Sequence, residues 1–278
     1  MSQQYSPAGF SLLPPVVKNL LIINGLFFLA TISFQTAFGI DLDSLLGLHY
    51  FKSDLFRPYQ FVTYMFLHAN ISHVGMNMFA LWMFGYLLEN VWGPKRFLTY
   101  YMITGIGAGI VQMIVYWWVF SSGEAVVHAY YQNSSIENFV AFVNAYQPHN
   151  PQLFETLKSF LSDWNAHPGN QHSILLSKDY INQVWQDHIS TTTIGASGAV
   201  FGILLAFGMI FPNMLVYVYF LFPIKAKWIV IIYGAFELYS GISNNQNDNV
   251  AHFAHLGGMI FGFFLILYWK KKSGYLSS

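Results

Sequence analysis

The stretch GASGAVFGILLAFGMIF, residues 195–211, carries two signals that pull apart. A serine among small residues, Gly195-Ala196-Ser197-Gly198, is a common way to present a nucleophile. The apolar run behind it reads as a membrane helix, and hydrolysis needs water. Which signal matters depends on how often the chain crosses a bilayer and at what depth Ser197 stands.

Only 9% of the 278 residues are charged, against about 25% in a typical soluble domain. Hydrophobic residues make up 55% and aromatic ones 19%, a profile that belongs in a bilayer. There is no cysteine, which excludes disulfides and thiolate metal sites. The net charge is zero, so no basic surface for nucleic acid is expected. The first 17 residues carry no Lys or Arg and are not expected to be a cleaved signal.

Six stretches are apolar enough to span, near 18–38, 73–92, 97–120, 196–212, 226–243 and 250–269. The fourth and fifth are joined by the apolar segment 213–224 and are divided at Pro223 and the Lys-Ala-Lys of 225–227. With a cytoplasmic N-terminus, 8 of the 12 basic residues fall inside and 4 outside. The positive-inside rule therefore supports six spans, and 10 of the 12 acids fall in the outer loops. The expected fold is all-α: a polytopic membrane protein with six transmembrane helices and a helical insertion at 121–190, between spans three and four. Residues 1–15 and 271–278 are expected to be short tails around a membrane domain at 16–270. Both termini are expected to be cytoplasmic, with a bacterial inner membrane as the location.

Within the insertion, NPQLFETLKSFLSDW opens with Asn150 as a helix cap and Pro151 at the first helical position. Leu153, Leu157, Phe160, Leu161 and Trp164 then recur at helical spacing. IENFVAFVNAY (136–146) and SKDYINQVWQDH (177–188) read as shorter helices of the same kind.

A polar group inside a span is costly and calls for a job. In HANISHVGMN (68–77), His73 and Asn77 are four apart and share a helix face, with His68 just upstream. Helix-to-helix hydrogen bonding would explain any one of them. Ser197 is flanked by Gly195 and Gly198, which also serve as a small-residue packing face. In AHFAHLGGMIFG (251–262), His255, Gly258 and Gly262 fall on one side. His252, one turn earlier, reads as a second site residue or a polar cap at the helix entrance, the cap being favoured. Glu237 lies near the outer end of span five and reads as interfacial, with a structural or gating role. On six spans, His73, Ser197 and His255 each lie just inside the outer end of a span that runs inward. That common depth points to one site opening to the outer face.

Such a set suits acyl transfer. Ser197 would attack, with His255 as general base. His73, Asn77 and the Ser197 backbone N–H would steady the oxyanion. No acid is convincingly placed to orient His255, so a Ser–His pair without an acid is the economical arrangement. No metal or cofactor is required.

These residues resemble the rhomboid family of intramembrane serine proteases. The family's Gly-x-Ser-Gly is matched by Gly195-Ala196-Ser197-Gly198. Its Ala-His-x-x-Gly-x-x-x-Gly is matched by Ala254-His255 through Gly258 to Gly262, and its His-x-x-x-Asn by His73 and Asn77. An upstream histidine, matched by His68, is a frequent companion. Tyr59-Gln60 stands where the family often carries Trp-Arg. The resemblance covers 16–120 and 191–270. It implies a bilayer-embedded serine endopeptidase, with Ser197 as nucleophile, His255 as base and the His/Asn pair at the oxyanion. It implies transmembrane-protein substrates cut near their outer ends. Two other readings stay open. One is a metal or haem protein ligated by His68, His73, His252 and His255. The other is a non-catalytic membrane-protein binder on the same fold.

Overall fold

A computed structural model describes residues 10–218, 221–243 and 251–273. Residues 1–9 and 274–278 of the expected tails, 219–220 of the segment between spans four and five, and residue 250 of span six lie outside them. The chain divides into two compact units. One comprises Met1–Leu48, Tyr59–Gln112 and Thr193–Ser278, and the other His49–Pro58 and Met113–Thr192.

In the first unit, α1 (Pro15–Phe38) starts on a proline, whose missing N–H costs nothing at a first helical position. It ends at Gly39, whose φ of 68° suits the left-handed turn that closes the helix. Glu89 covers its other end, accepting hydrogen bonds from the N–H groups of Val16 and Val17 at 2.9 and 2.8 Å. That use explains one of the two acids outside the expected outer loops.

Two short helices follow, α2 (Leu42–Leu46) and α3 (Gln60–Thr63). The buried Gln60 donates to the Leu45 carbonyl at 3.3 Å, and Thr63 donates to that of Leu46. They satisfy carbonyls that the end of α2 leaves open, a role for Gln60 where the resembling family often has arginine.

Next comes α4 (Ile71–Trp92), capped by Asn70, whose side chain accepts from the His73 N–H at 2.8 Å. α5 (Pro94–Gln132) runs 39 residues. Span three was expected to stop at 120, but nothing in SSGEAVVHAYYQ breaks a helix. Gly123, the one weak point, stays helical and makes room for Trp185, which a Cβ there would meet at 2.4 Å. The first unit takes α5 only as far as Gln112.

Three helices complete this unit: α9 (Ser197–Ile210), α10 (Ala226–Ser243) and α11 (His252–Ser273). α9 is apolar on every side and packs on α4, α10 and α11, as an all-round apolar helix should. Between α9 and α10 the apolar segment forms an antiparallel hairpin, Leu215–Val218 against Phe222–Lys225. Its β-branched and aromatic residues suit strands, and Pro212 follows directly on the residue that closes α9.

Among the described residues four helices are long and apolar enough to cross a membrane: α1, α4, α5 and α11. Among the shorter apolar helices, α9 has 14 residues. α1 and α10 turn large apolar side chains outward, among them Ile22, Leu26, Trp228, Ile232 and Phe236. That is the expected surface of an integral membrane protein.

The second unit contains α6 (Ile136–Ala145), α7 (Pro151–Ala166) and α8 (Gln171–Ile189), with α5 from Met113. Asn150 caps α7 as its sequence suggests, accepting from the N–H groups of Gln152 and Leu153. Phe139, Leu157, Trp164, Ile181 and Val184 form its buried interior. Tyr130 donates to Ser177 Oγ at 2.6 Å across it.

Candidate active site

Ser197 is the first residue of α9. The turn leading to it needs Gly195, whose φ is 133°, a region where a side chain is strained. The Gly195 N–H donates to the Tyr64 carbonyl at 2.9 Å, which pins the turn. A Cβ on Gly195 would lie 3.0 Å from His73 Nε2 and 3.4 Å from Ser197 Oγ. Glycine there keeps open the space between the hydroxyl and the imidazole.

α11 reaches this point by close backbone approach to α9. A Cβ on Gly258 would stand 1.8 Å from the Gly198 carbonyl oxygen. Gly257 admits Val111 of α5 in the same way, at 2.7 Å. Gly262 serves a different neighbour from Gly258. It makes room for the Tyr100 hydroxyl, which donates to the Gly202 carbonyl at 2.8 Å. Gly202 in turn accommodates Thr104. With the backbones this close, His255 Nε2 lies 2.8 Å from Ser197 Oγ. The ring of Phe201, one turn after Ser197, stacks on His255 at 4.3 Å and 6°.

Glu237 and His252 meet at this site. Glu237 is 5% exposed, buried against α11. Its Oε2 lies 2.9 Å from His255 Nδ1 and 2.7 Å from His252 Nδ1. His252 is therefore a partner of Glu237 rather than only a cap. An ionised carboxylate only accepts hydrogen bonds, so both Nδ1 atoms carry hydrogen. Neutral His255 then presents an unprotonated Nε2 to the Ser197 hydroxyl.

On α4, His73 Nδ1 accepts from the Ala69 N–H at 3.4 Å, which leaves Nε2 as the protonated nitrogen in the neutral ring. That nitrogen faces the space beside Gly195. Asn77 is buried one turn on, and its Nδ2 has no hydrogen-bond partner among the described residues. A buried amide donor without a partner is costly and marks a place where an acceptor is expected. His68 is fully buried and meets His73 edge-on, ring centroids 5.0 Å apart. Burial, with His73 alongside, holds the His68 imidazole down to about 4.

The structure thus brings Ser197, His255, His73 and Gly195 together, with Asn77 one turn along α4. Glu237, His252 and Phe201 join them. Phe201 was missed, although its spacing of four from Ser197 puts it on the same face. The four histidines do not form one ligand set. Among the described residues one group offers metal-ligating atoms within 4.8 Å of one another, Glu237, His252 and His255. It excludes His68 and His73.

A nucleophile, a base held in one tautomer, and donors around a cleared space can together carry out acyl transfer. The rhomboid domain model matches residues 55–125 and 169–272. Rhomboid-like protein 11, chloroplastic, of Arabidopsis thaliana is 44% identical over 57 residues, covering 20% of this chain and 20% of its own. RHOMBOID-like protein 12, mitochondrial, of the same plant is 25% identical over 245 residues, covering 87% of this chain and 55% of its own. Rhomboid-like protease 3 of Toxoplasma gondii is 32% identical over 68 residues, covering 24% and 26%. The chain thus spans from a fifth to just over half the length of these relatives.

Proposed function

Because the chain belongs to the rhomboid family, we propose that it is a serine endopeptidase acting on membrane-spanning substrates. The observation that carries this reading is the 2.8 Å approach of His255 Nε2 to Ser197 Oγ, beside the space that Gly195 keeps open.

Ser197 Oγ attacks the scissile carbonyl carbon while its proton passes to His255 Nε2. The carbonyl oxygen, now an oxyanion, accepts hydrogen bonds from His73 Nε2, Asn77 Nδ2 and the Ser197 N–H. The last is one of the donors that the first turn of a helix leaves open. His255 returns the proton to the leaving amine. Water, activated by the same nitrogen, then hydrolyses the acyl-enzyme.

α9 has 14 residues and measures roughly 21 Å, less than the hydrocarbon thickness of about 30 Å. A helix this short starts below one surface if it ends near the other. That depth suits a substrate segment cut near its outer end, where water can enter. The segment must unwind first, because a hydrogen-bonded helical amide is not open to attack. Residues 16–270 form the membrane domain, with 121–190 as an insertion on the outer side and tails at 1–15 and 271–278. Both tails face the cytoplasmic side, where 8 of the 12 basic residues lie. A bacterial inner membrane is the proposed location. Two relatives are named for the chloroplast and the mitochondrion, so fractionation in the source cell decides the compartment.

The test is reconstitution in liposomes with a single-span substrate. Wild type cleaves, while Ser197→Ala and His255→Ala do not. If Ser197→Ala retains full function in cells, the protein is a binder and the protease reading fails.

A further inference from the structure

We infer that Glu237 is a positioning residue for this site, its Oε2 accepting the Nδ1–H of His255 and so turning an unprotonated Nε2 toward Ser197. The inference rests on the protease reading and adds an acid to a Ser–His pair that the sequence left without one.

On α10, Ile229, Val230 and Glu237 are buried while Phe236, Leu238 and Tyr239 are exposed. Glu237 therefore points away from the outward side. Gly234 and Gly241, one turn to either side, face α11. A Cβ on Gly234 would meet Met259 at 3.4 Å, and one on Gly241 would meet Phe253 at 3.1 Å and His252 at 3.3 Å. The carboxylate is thus carried to α11 by close helix packing.

A carboxylate buried in a span is expensive unless it is paired. Here one oxygen receives two N–H groups, and only one of them, His255, also touches Ser197. His252 anchors the carboxylate independently of His255. A satisfied acid on its own would require neither ring to reach the serine. When the Ser197 proton moves to Nε2, the imidazolium has a negative charge 2.9 Å from its other nitrogen. Among the described residues, the ionisable groups near His255 are Glu237 from α10, His252 on α11, and His73 from α4. Ser197 and Phe201 approach it from α9. Glu237 is the one acid among them.

The experiment compares wild type, Ser197→Ala, Glu237→Gln and Glu237→Leu in liposomes. It measures kcat, KM, the rate of fluorophosphonate labelling of Ser197, and the histidine ¹⁵N spectrum. Glutamine keeps an acceptor and loses the charge, and leucine loses both. Loss of a third triad member costs up to about 10⁴-fold in water-exposed proteases. Here kcat should fall about 10-fold in Glu237→Gln and about 100-fold or more in Glu237→Leu, with KM little changed. Labelling should slow in parallel. The His255 spectrum should show the Nδ1–H form in wild type and a mixture of tautomers in Glu237→Leu. If Glu237→Leu does not fold, Glu237→Gln and the wild-type spectrum still decide. A Glu237→Gln protein with wild-type kcat and labelling overturns the inference and leaves the protease reading standing. So does an Nε2–H form of His255 in wild type. Cleavage that chelators abolish and zinc restores also overturns it, since the carboxylate would then be a metal ligand. A wild type that neither cleaves nor labels better than Ser197→Ala overturns the protease reading, and the inference with it.

Discussion

Gly258 of α11 faces the main-chain carbonyl of Gly198 on α9 so closely that a methyl group at Gly258 would lie 1.8 Å from its oxygen. A carbonyl cannot rotate away as a flexible side chain can. Gly258→Ala must therefore push α11 off α9 and carry His255 away from Ser197. Overpacking of this kind costs about 3 kcal/mol. Thermal unfolding in detergent should show the loss, and Ser197 labelling should drop even in the folded fraction. A Cβ at Gly262 meets side-chain atoms of Tyr100 and Thr104 and no backbone, so Gly262→Ala should cost less. Equal effects at the two positions would refute the backbone-contact account.

Asn77 offers a buried amide donor without a partner among the described residues. If it serves the oxyanion, Asn77→Ala should lower kcat roughly 10²-fold. KM should change little, because the interaction is made only in the transition state. Steady-state kinetics on a reconstituted substrate will separate this from a packing role. A packing role would lower thermal stability instead.

The Phe201 ring lies flat on His255. A stacked aromatic pair contributes about 1 kcal/mol beyond burial. Phe201→Leu keeps most of the volume and removes the stack, so labelling of Ser197 should slow about fivefold. Phe201→Tyr keeps the ring and should label at close to the wild-type rate.

His68 makes acid a destabilising condition. Its imidazole is held down to about 4 in the folded protein, against an ordinary 6.5. Between those values the unfolded chain binds a proton that the folded chain refuses. Stability therefore falls as pH drops from 6.5 toward 4, by up to about 1.4 kcal/mol per pH unit. His68→Gln has no such proton to gain. Its thermal midpoint should fall less than that of wild type between pH 7 and pH 5. Parallel declines in the two proteins would mean that other groups set the acid response.

Much of this was legible in the sequence. The apolar helices, the asparagine caps and the shared face of His73 and Asn77 follow from local facts. Apolar length decides what can span, and helical periodicity decides which residues share a face. Gly-x-Ser-Gly and His-x-x-x-Asn are local patterns of the same sort. The run of α5 to Gln132 and the hairpin after α9 were less legible, because an apolar stretch does not announce where it ends.

Tertiary structure alone decided how the helices face one another. The distance of Glu237 from a helix end is visible in sequence, whereas the rotation of α10 about its axis is not. That rotation is fixed by the packing of α10 against α11 and α9, and it turns the carboxylate inward onto His252 and His255. Spacing along one helix is fixed by covalent geometry. The 2.8 Å between Ser197 and His255 depends instead on two backbones meeting at Gly198 and Gly258, a contact between residues 60 positions apart that only packing can bring together.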